Sequence, residues 1–206
     1  MSPRDITRGS FIVFEGGDGS GKSTQARLLA EALDARLTRE PGGTPVGEAI
    51  RAVVLDPATP ELSARTEALL MAASRAQHVE ELIEPLLAAG THVVSDRFLA
   101  SSLAYQGVAR QLGVAEVLEV NAFGLAGLQP DLTVLLDVGA AQARERLGED
   151  LDRIEQAGAG LGEHVNEAYR GFAKADPDRW FVVDAQSSIE ELASAIRAEV
   201  ADRLGL

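Results

Sequence analysis

Apolar and polar positions alternate along the chain in two kinds of segment. Short, almost continuously apolar runs read as buried strands: "SFIVFE" (10–15), "THVVSD" (91–96), "DLTVLLD" (131–137) and "RWFVVD" (179–184), and the more polar "ARLTRE" (35–40) is a candidate second strand. Between them lie stretches with apolar residues every three or four positions, the period of a one-sided helix. These are "GKSTQARLLAEALDA" (21–35), "VGEAIRAVVLD" (46–56), "SARTEALLMAASRAQHVEELIEPLLAAG" (63–90), a helical region up to Gly127, "AAQARERLG" (140–148), "EHVNEAYRGFAKA" (163–175) and "SIEELASAIRAEVADRL" (188–204). "DLDRIEQAGAGLG" (150–162), rich in glycine, reads as a mobile segment. Strands apolar on both faces and separated by helices predict an α/β fold, a parallel sheet covered by helices on both sides. Ligands in such folds sit at the carboxyl ends of the strands.

Composition narrows this picture only in places. The 206 residues suit one domain, or one domain with a mobile insert, and 46% hydrophobic content supports a sizeable core. No run reaches the roughly 20 apolar residues of a membrane helix, and "MSPRDITRGSF" has no apolar signal core, so a cytoplasmic protein is expected. Without cysteine there are no disulfides or thiolate metal sites. A net charge of −13 argues against a broad nucleic-acid surface. The basic residues are nearly all arginine, with Lys22 and Lys174 the only lysines. Arginine binds phosphate through a planar fork, so an acidic nucleotide-binding protein is expected to gather arginines in one cleft.

The chemistry begins in Gly16-Gly17-Asp18-Gly19-Ser20-Gly21-Lys22-Ser23, the P-loop spacing Gly-x-x-x-x-Gly-Lys-Ser, between a strand and a helix. Glycines let backbone N–H groups converge on phosphate oxygens, and the helix N-terminus adds partial positive charge. Gly16 to Thr24 is therefore read as an ATP site. Lys22 bridges the β- and γ-phosphates and Ser23 ligates Mg²⁺. A second metal-side carboxylate has two candidates at strand ends, Asp96 and Asp137. Asp96 is favoured because Arg97 follows it directly, and Asp137 is read as a helix-capping acid. The puzzle is Asp18, a carboxylate inside a phosphate-binding loop.

Further pieces then fall into order: "TREPGGTP" (38–45), "MAASR" with Met71 and Arg75 on one helical face, "DRFLASSLAYQG" (96–107) and "LDRIE" (151–155). "REPGGT" and Asp-Arg-Phe-x-x-Ser-Ser-x-Ala-Tyr-Gln-Gly together resemble the thymidylate kinase family, in its bacterial branch. The matched pieces run from Phe11 to about Asp184. The resemblance implies the nucleoside monophosphate kinase fold, a single domain over 1–206 with five parallel strands and a lid at about 148–162. It also implies transfer of the γ-phosphoryl group of ATP to dTMP, with Mg²⁺.

The family's roles carry over by position. Arg97 holds the acceptor phosphate, Arg75 the pyrimidine edge, and Ser102 and Gln106 help bind the base. Arg51 and the Glu40–Pro41 turn line the same pocket, and Tyr105 presses where a ribose 2′-hydroxyl would sit. Asp18 accepts from the sugar 3′-hydroxyl or orients an acceptor-side arginine. With no basic residue among Gly17, Asp18, Gly19 and Ser20, the chain resembles the branch that supplies arginine from the lid, through Arg146 or Arg153. Met71 stands where many relatives carry an aromatic residue, and it reads equally as core packing. Helices from 64–89 and 110–126 are implied to form a homodimer, though the sequence alone also permits a monomer. His78, His92 and His164 lack metal-ligand spacing.

Two rival functions share the donor motif. A deoxynucleoside kinase needs a base to deprotonate a 5′-hydroxyl, whereas Arg51, Arg75 and Arg97 suit a monophosphate. A nucleotide-dependent partition or switch ATPase usually carries an extra lysine early in the loop, where this chain has Gly16 and Gly17.

Overall fold

The structure, a computed structural model, describes residues 8–139, 142–143, 153–154 and 159–206. Five strands, β1 (Phe11–Glu15), β2 (Arg36–Arg39), β3 (Val93–Asp96), β4 (Leu132–Asp137) and β5 (Trp180–Asp184), form one sheet in the order β2-β3-β1-β4-β5. Every pairing is parallel, with Phe14 opposite Asp96 and Val134. β1 is central, so the loop that leaves it emerges where the strand order reverses, the place open α/β sheets use for ligands.

Alternation along the strands builds two cores. Ile12, Phe14, Val134 and Leu136 face α1 (Lys22–Leu33) and the C-terminal helix, meeting Leu29, Ile196 and Val200. Phe11, Val13 and Val93 face the opposite layer, against Val79, Ile83, Leu87 and Phe98. The strand side chains Phe11, Ile12 and Phe14 are fully buried, each contributing about 1.5–3 kcal/mol of apolar burial.

The second layer contains α2 (Pro45–Leu55) and α3 (Ala64–His78), each capped by a hydroxyl, Thr44 and Ser63 respectively. α3 runs on through a π-helical turn (Val79–Ile83) into α4 (Glu84–Ala88). Pro85 lacks the N–H that would continue the ladder, and the helix widens just before it, with Glu84 N–H reaching Val79 O. α5 (Leu99–Ser102) passes into a second π-helical stretch (Leu103–Ala109), and α6 (Val114–Leu125) follows. The expected helices of these regions are present, but their periodicity gave no sign of the two widened turns.

α7 (Ala159–Ala175) starts four residues before the expected Glu163, inside the stretch read as a lid. Gly160 and Gly162 each disfavour helix by about 1 kcal/mol. The following turns outweigh them by burying Val165, Tyr169 and Ala173 at four-residue spacing. α8 (Ile189–Leu204) begins with a full capping box between Ser188 and Glu191. The helix expected over 140–148 lies mostly outside the described residues, although Gln142 and Ala143 are helical.

Candidate active site

At the carboxyl ends of β1, β2 and β3 lies one continuous cavity of 840 Å³. One end is the loop from Gly19 to Thr24, the donor end expected from the sequence, and the other, the expected acceptor end, is formed by Glu40, Pro41, Arg51, Met71, Tyr105 and Gln106. Asp18, Asp96 and Arg97 line it between the two ends.

The loop needs its glycines. Gly16 has φ 143° and Gly19 φ 77°. A Cβ on Gly16 would lie 2.6 Å from Leu136 O, and one on Gly19 2.3 Å from Ala143 O. Neither a side chain nor an ordinary backbone conformation fits there. Lys22 opens α1 with its ammonium folded onto Gly17 O at 2.7 Å. Burial and the nearby Arg97 charge push its pKa down to about 8, against the opposing pull of Asp18, Asp96 and Glu15.

Asp18 is held from two sides. One carboxylate oxygen accepts from Arg97 Nη2, and the other accepts from the Tyr105 hydroxyl at 2.7 Å. Burial acts to raise its pKa, but the Arg97 and Lys22 charges and these hydrogen bonds prevail and hold it at about 2. Asp18 is thus paired with Arg97, which lines the cavity between its two ends.

Arg97 adopts φ 75°, a left-handed conformation that disfavours a side chain. The backbone enforces it: Arg97 N–H donates to Phe14 O at 2.9 Å, and its carbonyl accepts from Ser95 Oγ at 2.7 Å. Such strain collects where a site over-determines the chain. Nη1 contacts Gly16 O, Ser101 Oγ and Tyr169 OH, and the guanidinium lies 5.3 Å from the Tyr105 ring centroid. Among the described residues its Nε–H has no acceptor.

Behind Arg97 sits a residue that the motif reading passed over. Glu15 is fully buried and accepts from Phe98 N, Ser101 N, Ser101 Oγ and Tyr169 OH. Burial raises its pKa despite the Arg97 charge. Ser101, rather than Ser102, reaches the cavity. An acid ending an otherwise apolar strand was a visible signal for Glu15, whereas nothing in the local pattern marked Tyr169.

The base-side residues divide. Met71, Tyr105 and Gln106 line the cavity, but Arg75 and Ser102 do not. Arg75 is 1% exposed and donates to Glu40, Asn121, the Phe98 carbonyl and Ser102. Of its five N–H groups, one on Nη1 has no acceptor among the described residues. The buried His78, with no role read from sequence, bridges Thr38 Oγ1 at 2.7 Å and Glu40 Oε1 at 3.0 Å. Together Glu40, Arg75 and His78 fix the turn that begins with the cis Glu40–Pro41 peptide.

Arg51 lines the cavity and donates to Pro41 O at 2.9 Å. Arg153 does not line it. Its Nε donates to Val54 O at 2.7 Å and Nη2 to Glu67 at 2.6 Å, while the adjacent Ile154 forms part of the wall. Arg146 and most of the expected lid lie outside the described residues.

Mg²⁺ is tested by its donors. Ser23 Oγ donates to Asp96 Oδ2, and Asp96 Oδ1 is buried without a partner among the described residues. An orphaned carboxylate oxygen beside the P-loop hydroxyl fits a hard cation. Asp137 is instead engaged by Arg170 through both its oxygens. No cluster of three His, Cys, Asp or Glu side chains that could hold a metal ion occurs among the described residues.

Comparison with known proteins gives one result. The family model described as thymidylate kinase matches residues 14–196. A thymidylate kinase from Symbiobacterium thermophilum is 48% identical over 200 residues, covering 94% of each chain. One from Lactobacillus delbrueckii subsp. bulgaricus is 46% identical over 199 residues, 91% of this chain and 93% of that protein. The crystal structure of thymidylate kinase from Ehrlichia chaffeensis superposes with a TM-score of 0.77 at 29% identity, covering 94% of this chain and 98% of that one.

Proposed function

The chain belongs to the thymidylate kinase family, and on that premise we propose how its residues divide the work. The protein transfers the γ-phosphoryl group of ATP to dTMP, giving dTDP and ADP, a step in dTTP synthesis. The observation that carries the site assignment is the single cavity joining the P-loop to the Gln106 end, with Arg97 and Asp18 between them. It allows donor and acceptor to meet without a covalent enzyme intermediate, so catalysis reduces to alignment and charge stabilisation.

The loop from Gly16 to Thr24 takes the triphosphate, and the Lys22 ammonium turns from Gly17 O to the β- and γ-oxygens. Arg97 grips the acceptor phosphate through its uncommitted Nε–H, and Asp18 and Tyr105 hold the guanidinium square to it. Tyr105 also walls off the 2′ side of the sugar. Gln106 offers Oε1, which has no partner among the described residues, to the base, Arg75 supports the same end through Ser102 and its remaining N–H, and Met71 packs against the ring. Arg51 and the Glu40–Pro41 turn close the phosphate side. Ser23 and Asp96 would hold Mg²⁺, which would supply neutralisation of phosphate charge. Arg153 serves the acceptor wall in the conformation described, with Arg146 left as the lid arginine that meets ATP.

The homodimer expected from the sequence is supported by exposed apolar residues on adjacent helices: Leu69 on α3 (59% exposed), with Leu118 (45%) and Phe123 (97%) on α6. A second copy of the same face would cover them. No helix among the described residues is long and apolar enough to cross a membrane. A panel of nucleoside monophosphates in a coupled ADP-release assay tests the acceptor. dTMP is expected to be best, ahead of CMP, AMP and ribo-UMP, and a preference for AMP or CMP would refute the assignment.

A further inference from the structure

Glu67 has no part in the mechanism above, yet it is 1% exposed and sits on α3 directly behind the acceptor end. Its carboxylate gathers three side chains from three parts of the chain. Gln106 Nε2 donates to Oε1 at 3.0 Å, and Arg153 Nη2 donates to Oε2 at 2.6 Å. Arg110 reaches Oε1 through Nε at 3.5 Å and Oε2 through Nη2 at 3.4 Å. Two guanidinium groups on a buried carboxylate keep it ionised. Burial alone would raise its pKa, and the hydrogen bonds from Gln106 and Arg153 with the Arg110 and Arg153 charges lower it instead.

An ionised carboxylate only accepts hydrogen bonds. The side-chain amide of Gln106 must therefore present its NH₂ to Glu67. A flipped amide would set Gln106 Oε1 against Glu67 Oε1, leaving two acceptors opposed in a buried place. Gln106 Oε1 is thus fixed on the other side of the amide. There it is buried without a donor among the described residues, in a side chain that lines the cavity.

We infer that Glu67 is a positioning residue for base choice: it locks the Gln106 amide so that the pocket demands an N–H from the base and turns away a base with a bare ring nitrogen there. This rests on the reading of Gln106 as a contact to the acceptor's base. Thymine and uracil carry an N3–H between two carbonyls: the N3–H donates to Oε1, and a flanking carbonyl can accept from the second amide N–H. Cytosine carries an N3 lone pair beside an amino group. In the same pose its lone pair faces Oε1, and both acceptors lose their partners. Rotating the amide by half a turn would accommodate cytosine, and Glu67 forbids that rotation. A site built to pair with a substrate N–H rejects the analogue lacking it far more strongly than an apolar pocket rejects a change of shape.

The test compares kcat/KM for dTMP and dCMP in the wild type, Glu67→Gln, Gln106→Met and the double variant, with thermal unfolding as a check on folding. A glutamine at 67 can accept from or donate to the amide, so the flip becomes allowed. Glu67→Gln is expected to lower the dTMP/dCMP ratio at least about tenfold, the scale set by leaving a buried acceptor unpaired. Gln106→Met should lower it as far, and the double variant no further, because Glu67 acts through Gln106. A folded Glu67→Gln enzyme that loses turnover equally on both substrates, with the ratio unchanged, would overturn the inference and leave Glu67 a merely structural acid. Should Glu67→Gln fail to fold, Gln106→Met decides, and an unchanged ratio there overturns the inference equally. A wild type without preference for dTMP over dCMP would instead refute the reading of the pocket beneath it.

Discussion

Asp18→Asn is the substitution from which the geometry promises most. The side chain keeps its size and can still accept from Tyr105 or Arg97, but it loses the charge that squares the guanidinium to the cavity. The carboxyl pKa is held at about 2 against an ordinary 3.8. At about 1.4 kcal/mol per unit, that shift amounts to about 2.5 kcal/mol of preference for the ionised form. The sign follows from a lowered acid: this stability is present above pH 3.8 and is lost as pH falls through about 2. The neutral variant forfeits most of it at every pH. A hydrogen bond to a charged group typically contributes about 1.5–3 kcal/mol, so turnover on dTMP should fall about tenfold or more. The informative arm uses 3′-deoxy-TMP as acceptor. If Asp18 acts by aligning Arg97, the loss of tenfold or more persists on that substrate, because the arginine is misaligned whether or not a 3′-hydroxyl is present. Steady-state kinetics on two enzymes and two acceptors form the cycle. A loss on dTMP that shrinks below about twofold on 3′-deoxy-TMP would refute alignment and assign Asp18 to the sugar hydroxyl alone.

Other expectations follow from the same contacts. Lys22→Ala should cut kcat by about a hundredfold or more without lowering the melting temperature, since the fold holds this lysine with a depressed pKa. For the same reason, kcat/KM for ATP in the wild type should fall as pH rises through about 8, where the free enzyme's Lys22 loses its proton; an unchanged profile up to pH 10 would contradict this. Arg153→Ala separates two roles. A residue that holds the wall from behind through Val54 and Glu67 should, when lost, raise KM for dTMP several-fold at little changed kcat, whereas a lower kcat at constant KM would mark a transition-state arginine. Phe123→Asp should convert a dimer into a monomer in light scattering, and a monomeric wild type would remove the proposed interface.

How much of this was readable from the chain depends on whether a residue acts locally. The P-loop, the apolar runs that form strands and the Asp96–Arg97 pair could be read because backbone demands and spacing impose them over a few residues. Glu15 announced itself as an acid at the end of a buried strand, but its partners Ser101 and Tyr169 come from 86 and 154 positions away. The same holds for Glu67, whose three partners are joined only by folding. Arg75 was found by pattern, yet its burial behind the pocket depends on Glu40, Asn121 and Ser102 converging from separate elements. The π-helical turn that carries Tyr105 and Gln106 was not marked in the apolar pattern, so those residues were legible without their setting.

The central claim is phosphoryl transfer from ATP to dTMP in this one cavity. It is tested most directly by following the labelled γ-phosphate of ATP with and without dTMP, with Lys22→Ala as control. The account predicts that the label appears in dTDP only when dTMP is present, with little release otherwise, and that Lys22→Ala abolishes the transfer. Label released as inorganic phosphate at the same rate whether or not dTMP is added would contradict it and point to an ATPase switch.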